Sequence, residues 1–177
     1  MSGRYLLDTN AVIALIGGDV STRDLVSHAD AIFMSSPVLG ELYFGAFRSG
    51  RVPENVERID NLVRWYSILR IDESTARLYG LLRQQLGAAG QPIPNNDIWI
   101  AALAQQHGAM IVTRDSHFDA VENLAVIRWS GQKLQIKSAN AVQNLAEFCG
   151  RDARALARNR RWSSLLCELD RPGRNCG

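Results

Sequence analysis

The chain has 177 residues, of which 46% are hydrophobic and 21% charged, with a formal net charge of +2 at pH 7. This composition is typical of a globular domain, and no apolar run approaches the roughly 18–20 residues of a membrane-spanning helix. We therefore expect no association with a membrane. The first ten residues lack the apolar core of about 7–15 residues that a secretory signal needs, so we expect a cytoplasmic location.

Short apolar runs alternate with segments of helical periodicity along most of the chain. The predicted elements, in chain order, are a strand at 4–8, a helix at 9–18, a strand at 31–36, helices at 37–50 and 53–66, a strand at 66–72, helices at 73–90 and 95–108, a strand at 109–115, a short helix or turn at 116–123 and a strand at 124–129. Strands that alternate with helices predict a three-layer α/β/α fold around a central, mostly parallel five-stranded sheet.

Charge is distributed unevenly, and the periodic pattern fades after Trp129. Residues 1–132 carry 11 basic and 14 acidic side chains, whereas residues 133–177 carry 9 basic and 4 acidic ones. We therefore expect one domain at 1–131 and a basic extension at 132–177, whose apolar residues are compatible with one or two helices. The extension holds all three cysteines, which lack the spacing of a zinc site and are interpreted as reduced thiols.

Four carboxylates occupy the ends of predicted elements. Asp8 and Asp115 each close a strand, Glu41 lies one turn into the helix after the second strand, and Asp97 stands directly before an apolar run at 98–103. Sites in parallel α/β sheets form beyond the carboxyl ends of the strands. We therefore expect the four acids to meet in one pocket.

A cluster of carboxylates is unfavourable unless a cation lies among its members. Hard oxygen ligands without Cys or His favour Mg²⁺, with Mn²⁺ as a substitute, over zinc. Such a site activates water and offsets charge on a phosphodiester, so metal-dependent phosphodiester hydrolysis fits these residues. Asn10 and Thr113 lie at the same strand ends and are candidate supporting residues.

The acids also have purely structural interpretations. Asp8 and Asp115 could cap the helices that follow them. For Asp97 we expect Asn95 or Asn96 to be the helix cap, which would leave the Asp97 carboxylate free for function.

Three neighbouring side chains are less informative. Arg114 and His117 could contact a phosphate, but His117, beside Phe118, is interpreted as a packed turn residue rather than a general base. Trp99, on the same helix as Asp97, is expected to pack in the core or at a dimer interface. None of these three is assigned to the predicted site.

Four segments together carry a specific resemblance. "LLDTNAVIALI", "GELYFGA", "PIPNNDIWIAALAQQHGAMIVTRDSHF" and "LAVIRW" resemble the PIN-domain ribonucleases, specifically the VapC toxins of type II toxin–antitoxin pairs. The resemblance runs from about Tyr5 to Trp129 and includes all four acids in order. It implies a Mg²⁺-dependent endoribonuclease that cuts structured RNA, such as transfer or ribosomal RNA.

The resemblance also implies roles for individual residues and for partners. Asp8 and Asp97 match the principal metal ligands, and Glu41 and Asp115 complete the acidic quartet. Asn10 and Thr113 match the polar residues that usually support the metal ligands in this family. A homodimer and an antitoxin that blocks the site are implied as well.

The basic extension departs from the family pattern, because such proteins typically stop soon after the last strand. Its arginines could extend an RNA-binding surface through phosphate contacts. They could equally be a solvated end without a function.

Two other functions are compatible with part of this pattern. A catalytically silent PIN-like module would bind RNA or protein, but it would be free to lose the acids that this chain keeps. A receiver-type phosphoacceptor domain needs paired acids after the first strand and a lysine after the fifth. Here Asp8 stands alone, and Lys133 follows Trp129 only after several residues. We therefore favour the ribonuclease.

Overall fold

The computed structural model describes residues 3–130 and 133–137. The strands are β1 (Arg4–Leu7), β2 (Ala31–Ser35), β3 (Ser67–Leu69), β4 (Met110–Val112), β5 (Val126–Ser130) and β6 (Lys133–Lys137). The helices are α1 (Thr9–Ile16), α2 (Val20–Ser27), α3 (Ser36–Phe47), α4 (Val52–Trp65), α5 (Glu73–Ala88) and α6 (Asn95–His107), and a 3₁₀ helix spans His117–Ala120.

The strands form one sheet in the order β3-β2-β1-β4-β5-β6. All neighbouring pairs from β3 to β5 are parallel, which confirms the predicted α/β fold with five parallel strands. The central strand β1 pairs with β2 on one side and with β4 on the other. The carboxyl ends of β1 and β4 therefore lie side by side.

A sixth strand was not predicted. β6 pairs antiparallel with β5 and lies beyond residue 131, in the segment assigned to the basic extension. Leu134 and Ile136 alternate there with polar residues, which is the periodicity of a strand. The division at 131 stays a prediction, and residues 138–177, with the predicted helices and the cysteines, lie outside the described residues.

The sequence interpretation also missed α2. Its cap is Asp19, whose carboxylate accepts a hydrogen bond from the Thr22 backbone N–H at 2.8 Å. Three residues of α2 are buried: Thr22, Leu25 and Val26. A helix with so few apolar residues has a weak periodic signal, although the Asp-x-x-Thr spacing is typical of a helix start.

α6 is buried around most of its circumference, because it contacts α5, α3 and β4. Its buried residues are Ile98, Ile100, Ala101, Ala102, Leu103 and Ala104. Gly108 ends the helix in a left-handed conformation with φ 57°, which glycine adopts without strain. No helix within the described ranges is long and apolar enough to cross a membrane.

Candidate active site

Asp8 lies directly after β1 with its carboxylate surrounded by donors. The Thr9 backbone N–H donates to Oδ1, and the Asn10 Nδ2 amide and the Thr113 hydroxyl donate to Oδ2, each at 2.7 Å. Asp8 therefore caps α1, as the structural interpretation expected. Its side chain is nevertheless fixed at the carboxyl edge of the sheet, between β1 and the end of β4.

Asn10 and Thr113 connect this carboxylate to the loop after β4. The Asn10 amide also donates to the Thr113 hydroxyl at 3.0 Å, and its carbonyl oxygen accepts from the Arg114 backbone N–H at 3.0 Å. The Thr113 oxygen accepts from the Asp115 backbone N–H at 2.9 Å. The two residues thus contact Asp8 and orient the chain that leads to Asp115; their supporting role in a functional site stays a prediction.

Burial raises the pKa of the Asp8 carboxyl to about 6. Asp8 is only 5% exposed, and removal from water disfavours the charged form. The hydrogen bonds from Thr113 and Thr9 oppose this effect, whereas the charges of Asp97 and Glu41 add to it. The acids are therefore close enough to influence one another.

Glu41, on α3, is held from two sides. The Thr9 hydroxyl donates to its Oε2 atom, and the Asn96 amide donates to its Oε1 atom at 2.7 Å. Glu41 thus bridges the start of α1 and the start of α6. Glu41 is therefore not a freely solvated helix residue, since both carboxylate oxygens have protein donors and the residue is partly buried.

The predicted asparagine cap of α6 is wrong. The cap position is Pro94, and no side chain caps the helix. Asn96 instead binds Glu41, and the Asn95 Oδ1 atom accepts from the Tyr79 hydroxyl at 3.2 Å. Both side chains are used in tertiary contacts, so they cannot fold back over the first turn of α6.

Asp97, in the first turn of α6, forms a tight group with Asp115 and His117. The His117 Nδ1 atom lies 2.9 Å from Asp97 Oδ2 and 3.1 Å from Asp115 Oδ1. One candidate ligand atom from each residue lies within 4.8 Å of the others. Burial raises the pKa of Asp97, His117 lowers it through its hydrogen bond, and the charge of Asp115 raises it.

The interpretation of His117 as a packed turn residue is wrong. Its side chain is 46% exposed and contacts two carboxylates. The Asp115 Oδ1 atom accepts the His117 backbone N–H at 2.9 Å, which is a local turn common for Asp two residues before its donor. This turn directs the imidazole back toward the acids. The Asp-x-His spacing in the sequence could have predicted the turn, and with it the position of His117.

Two of the six predicted site residues, Asp8 and Thr113, are buried, and the other four are partly buried. Asp97 and Asp115 belong to the tight group, whereas Asp8 and Glu41 lie beside it and act on it electrostatically. The donor set is carboxylate oxygen with a single imidazole nitrogen. A set of this kind fits a divalent cation. Burial is the main cause of the raised pKa values of Asp8 and Asp97, and neighbouring acids add to it; the positive charge of a cation would favour the ionised carboxylates against both effects.

Arg114 and Trp99 take structural roles. The Arg114 guanidinium pairs with Asp19 at 3.1 Å and lies 4.5 Å from the ring centroid of Trp129, so its charge is already matched. Trp99 stacks on Tyr79 with ring centroids 3.8 Å apart, which supports the packing interpretation.

The sequence profile of the PIN domain matches residues 5–124, which include all six predicted site residues. The chain belongs to the PIN-domain family. Ribonuclease VapC2 of Rickettsia felis is 30% identical over 130 residues, which cover 71% of this chain and 97% of the relative. Ribonuclease VapC4 of Mycobacterium tuberculosis is 34% identical over 96 residues, or 53% of this chain and 74% of the relative.

The fold is also similar to those of solved structures of VapBC complexes. The PIN domain is similar to VapBC2 from Rickettsia felis bound to promoter DNA, with a TM-score of 0.67, 28% identity and coverage of 72% of this chain and 99% of the other. It is also similar to DNA-bound VapBC from Salmonella typhimurium, with a TM-score of 0.68, 25% identity and coverage of 72% and 98%. The predicted family is therefore confirmed.

The raised pKa of Asp8 predicts a pH-dependent stability of the metal-free PIN domain. The native pKa of about 6 lies above the ordinary value of 3.8, so the native state binds a proton that the unfolded state has lost. Ionised Asp8 then costs at most roughly 3 kcal/mol above pH 6, and this cost disappears below about pH 4. Wild type should lose stability between these pH values relative to Asp8→Asn.

The measurement is urea unfolding of wild type and Asp8→Asn in EDTA from pH 4 to pH 7.5. The stability difference should shift steadily in favour of the variant up to about pH 6 and then level off. Any hydrogen bond lost in the variant gives an offset that does not change with pH. A difference that stays constant over the whole range would contradict the prediction.

Proposed function

We propose that this PIN domain is a Mg²⁺-dependent endoribonuclease and the toxin of a toxin–antitoxin pair. The observation that carries the proposal is the group of Asp97 and Asp115 with Asp8 beside it, at the carboxyl edge of the sheet. The same chain has relatives named VapC ribonuclease. RNA is therefore the proposed substrate, and structured RNA is the class that we expect.

Four acids are the proposed ligands of the cation: Asp8, Glu41, Asp97 and Asp115. When bound, Mg²⁺, or Mn²⁺ in its place, supplies positive charge against the charge that develops on the phosphodiester. The carboxylates fit this task because protein donors already orient Asp8 and Glu41. Little reorganisation is then needed when the ion arrives.

The surrounding residues of the chain hold this arrangement. Asn10 and Thr113 fix one oxygen of Asp8 and the backbone before Asp115. His117 holds the Asp97 and Asp115 carboxylates together by contacting both. The start of α6 also favours a negative charge on Asp97, because the helix dipole is positive there.

The antitoxin is the proposed protein partner. The similar structures from Rickettsia felis and Salmonella typhimurium are VapBC complexes. On α3, Phe44 lies about one turn and Phe47 nearly two turns beyond Glu41, and their side chains are 62% and 64% exposed. Exposed aromatic side chains mark protein interaction surfaces, so we propose that the antitoxin covers them next to the site.

The other interpretations are not favoured. A receiver-type domain is not supported, since the chain belongs to the PIN-domain family. A silent PIN-like module has no observation in its favour, because the acids of the site are present and oriented. The homodimer and the cytoplasmic location stay predictions.

Asp97→Asn should abolish RNA cleavage. The change keeps the size of the side chain but removes one charged ligand, so we expect a loss of at least about 100-fold in rate. The assay is cleavage of total bacterial RNA in Mg²⁺ or Mn²⁺, with EDTA expected to stop it. Asp24→Asn is the matched control, because Asp24 is exposed on α2 and pairs with His28.

Circular dichroism should show that both variants are folded. Cleavage by Asp97→Asn at the wild-type rate would refute the assigned metal site. Absence of cleavage by wild type in both metals would refute the ribonuclease itself.

Replacement of Phe44 and Phe47 by Ser should separate toxicity from neutralisation. Wild type induced in a bacterial host should arrest growth, and a library of genomic fragments from the source organism should yield a rescuing protein. The double variant should still arrest growth but escape rescue, because its antitoxin surface is lost. Equal rescue of wild type and the double variant would show that Phe44 and Phe47 are not needed for antitoxin binding.

A further inference from the structure

Arg83, on α5, is fixed close to the start of α6. Its Nη1 atom donates to the Tyr79 hydroxyl at 3.3 Å, and this hydroxyl donates to Asn95 Oδ1 at 3.2 Å. The next residue, Asn96, donates to Glu41, and Asp97 follows it. A short chain of hydrogen bonds therefore connects the Arg83 guanidinium to the turn of α6 that carries the acidic site.

Tyr79 is a rigid support for this arginine. Its ring stacks on Trp99 with an interplanar angle of 15°, and its hydroxyl uses its single proton on Asn95. The hydroxyl can then only accept from Arg83. Because ring and hydroxyl are both held, Arg83 is positioned before any ligand binds, which lowers the entropic cost of binding.

Among the described residues, the structure records no acid paired with Arg83, in contrast to Arg114 and Arg128. Arg114 pairs with Asp19, and Arg128 pairs with Asp119 at 2.9 Å. In the part of the chain that the structure describes, the recorded partner of Arg83 is a phenol hydroxyl. Arg83 is exposed and keeps further N–H donors for an anion.

The negative charge of the site opposes the approach of RNA, and the positive charge of Arg83 would reduce this repulsion. The carboxylates of the site repel the phosphates that must approach them, and opposite charge beside the site offsets this repulsion. Arginine binds phosphate through its planar set of donors. The exposed amide of Asn95, with its carbonyl turned to Tyr79, adds a polar group between Arg83 and the acids.

We infer that Arg83, held by Tyr79, binds a backbone phosphate of the RNA substrate next to the cleaved bond, so that the RNA passes over the starts of α6 and the facing turn of α5. The inference rests on the proposed ribonuclease function. It makes Arg83 a binding residue for the substrate, and Tyr79 a positioning residue that acts through Arg83.

The test measures binding of an RNA that wild type cleaves, in the non-cleaving Asp97→Asn background. Arg83→Ala should raise the Kd about 5- to 10-fold at low salt, and should make the negative slope of log K against log salt shallower by about 0.7 to 0.9. Arg77→Ala is the matched control. Arg77 lies on the same helix, is 83% exposed and pairs with Glu73, so its loss should change neither quantity.

Cleavage kinetics separate binding from structural effects. Arg83→Ala should raise KM and leave kcat unchanged, and Arg83→Lys should recover part of the loss because the charge is kept. Tyr79→Phe keeps the ring but removes the hydroxyl, so it should raise KM by a smaller factor at an unchanged melting temperature.

Two results have different meanings. If wild type cleaves RNA but Arg83→Ala binds and cleaves as Arg77→Ala does, the assignment of Arg83 is overturned while the ribonuclease stands. If wild type cleaves no RNA, the proposed function itself fails.

Discussion

The site depends on a buried carboxylate at the end of the central strand. Asp8 is placed between β1 and β4 because these strands are parallel neighbours, and it is nearly removed from water. An ionised acid in such a position is costly unless donors or a cation compensate it. Thr9, Asn10 and Thr113 supply three donors, yet the pKa stays raised. The remaining cost is what a cation would remove.

The second requirement is a helix that can carry an acid to the same edge. The buried, alanine-rich middle of α6 packs against α5, α3 and β4, which fixes the position of its first turn. Asp97 on this turn then faces Asp115 and His117, while Asn96 faces Glu41. Burial of one segment thus positions several polar side chains at its end.

Much of this could be predicted from the sequence, because the signals are local. The apolar runs before Asp8 and Asp115 predict two strands whose carboxyl ends lie at the same edge of the sheet. The structure confirms that these strands, β1 and β4, are parallel neighbours. What was missed depends on tertiary contacts or weak periodicity. Asn95 and Asn96 were expected to cap α6, but their partners Tyr79 and Glu41 are distant in sequence.

The sequence also failed to predict the contacts of His117 and the presence of β6. The role of His117 follows from the turn that Asp115 makes with its backbone, and sequence alone gave no reason to prefer this turn over packing against Phe118. β6 is a short alternating segment whose strand state depends on pairing with β5. Local patterns are therefore sufficient for the parallel core, whereas side-chain partners across the fold require the structure.

The proposed ribonuclease requires that the acids of this edge bind a divalent cation. Isothermal titration of Mg²⁺ and Mn²⁺ into the metal-free protein tests it most directly, with Asp97→Asn and the exposed-site control Asp24→Asn in parallel. We expect binding to wild type and to Asp24→Asn with equal affinity, and binding at least about tenfold weaker for Asp97→Asn. Equal affinity of wild type and Asp97→Asn, or no binding of either ion to wild type, would contradict it.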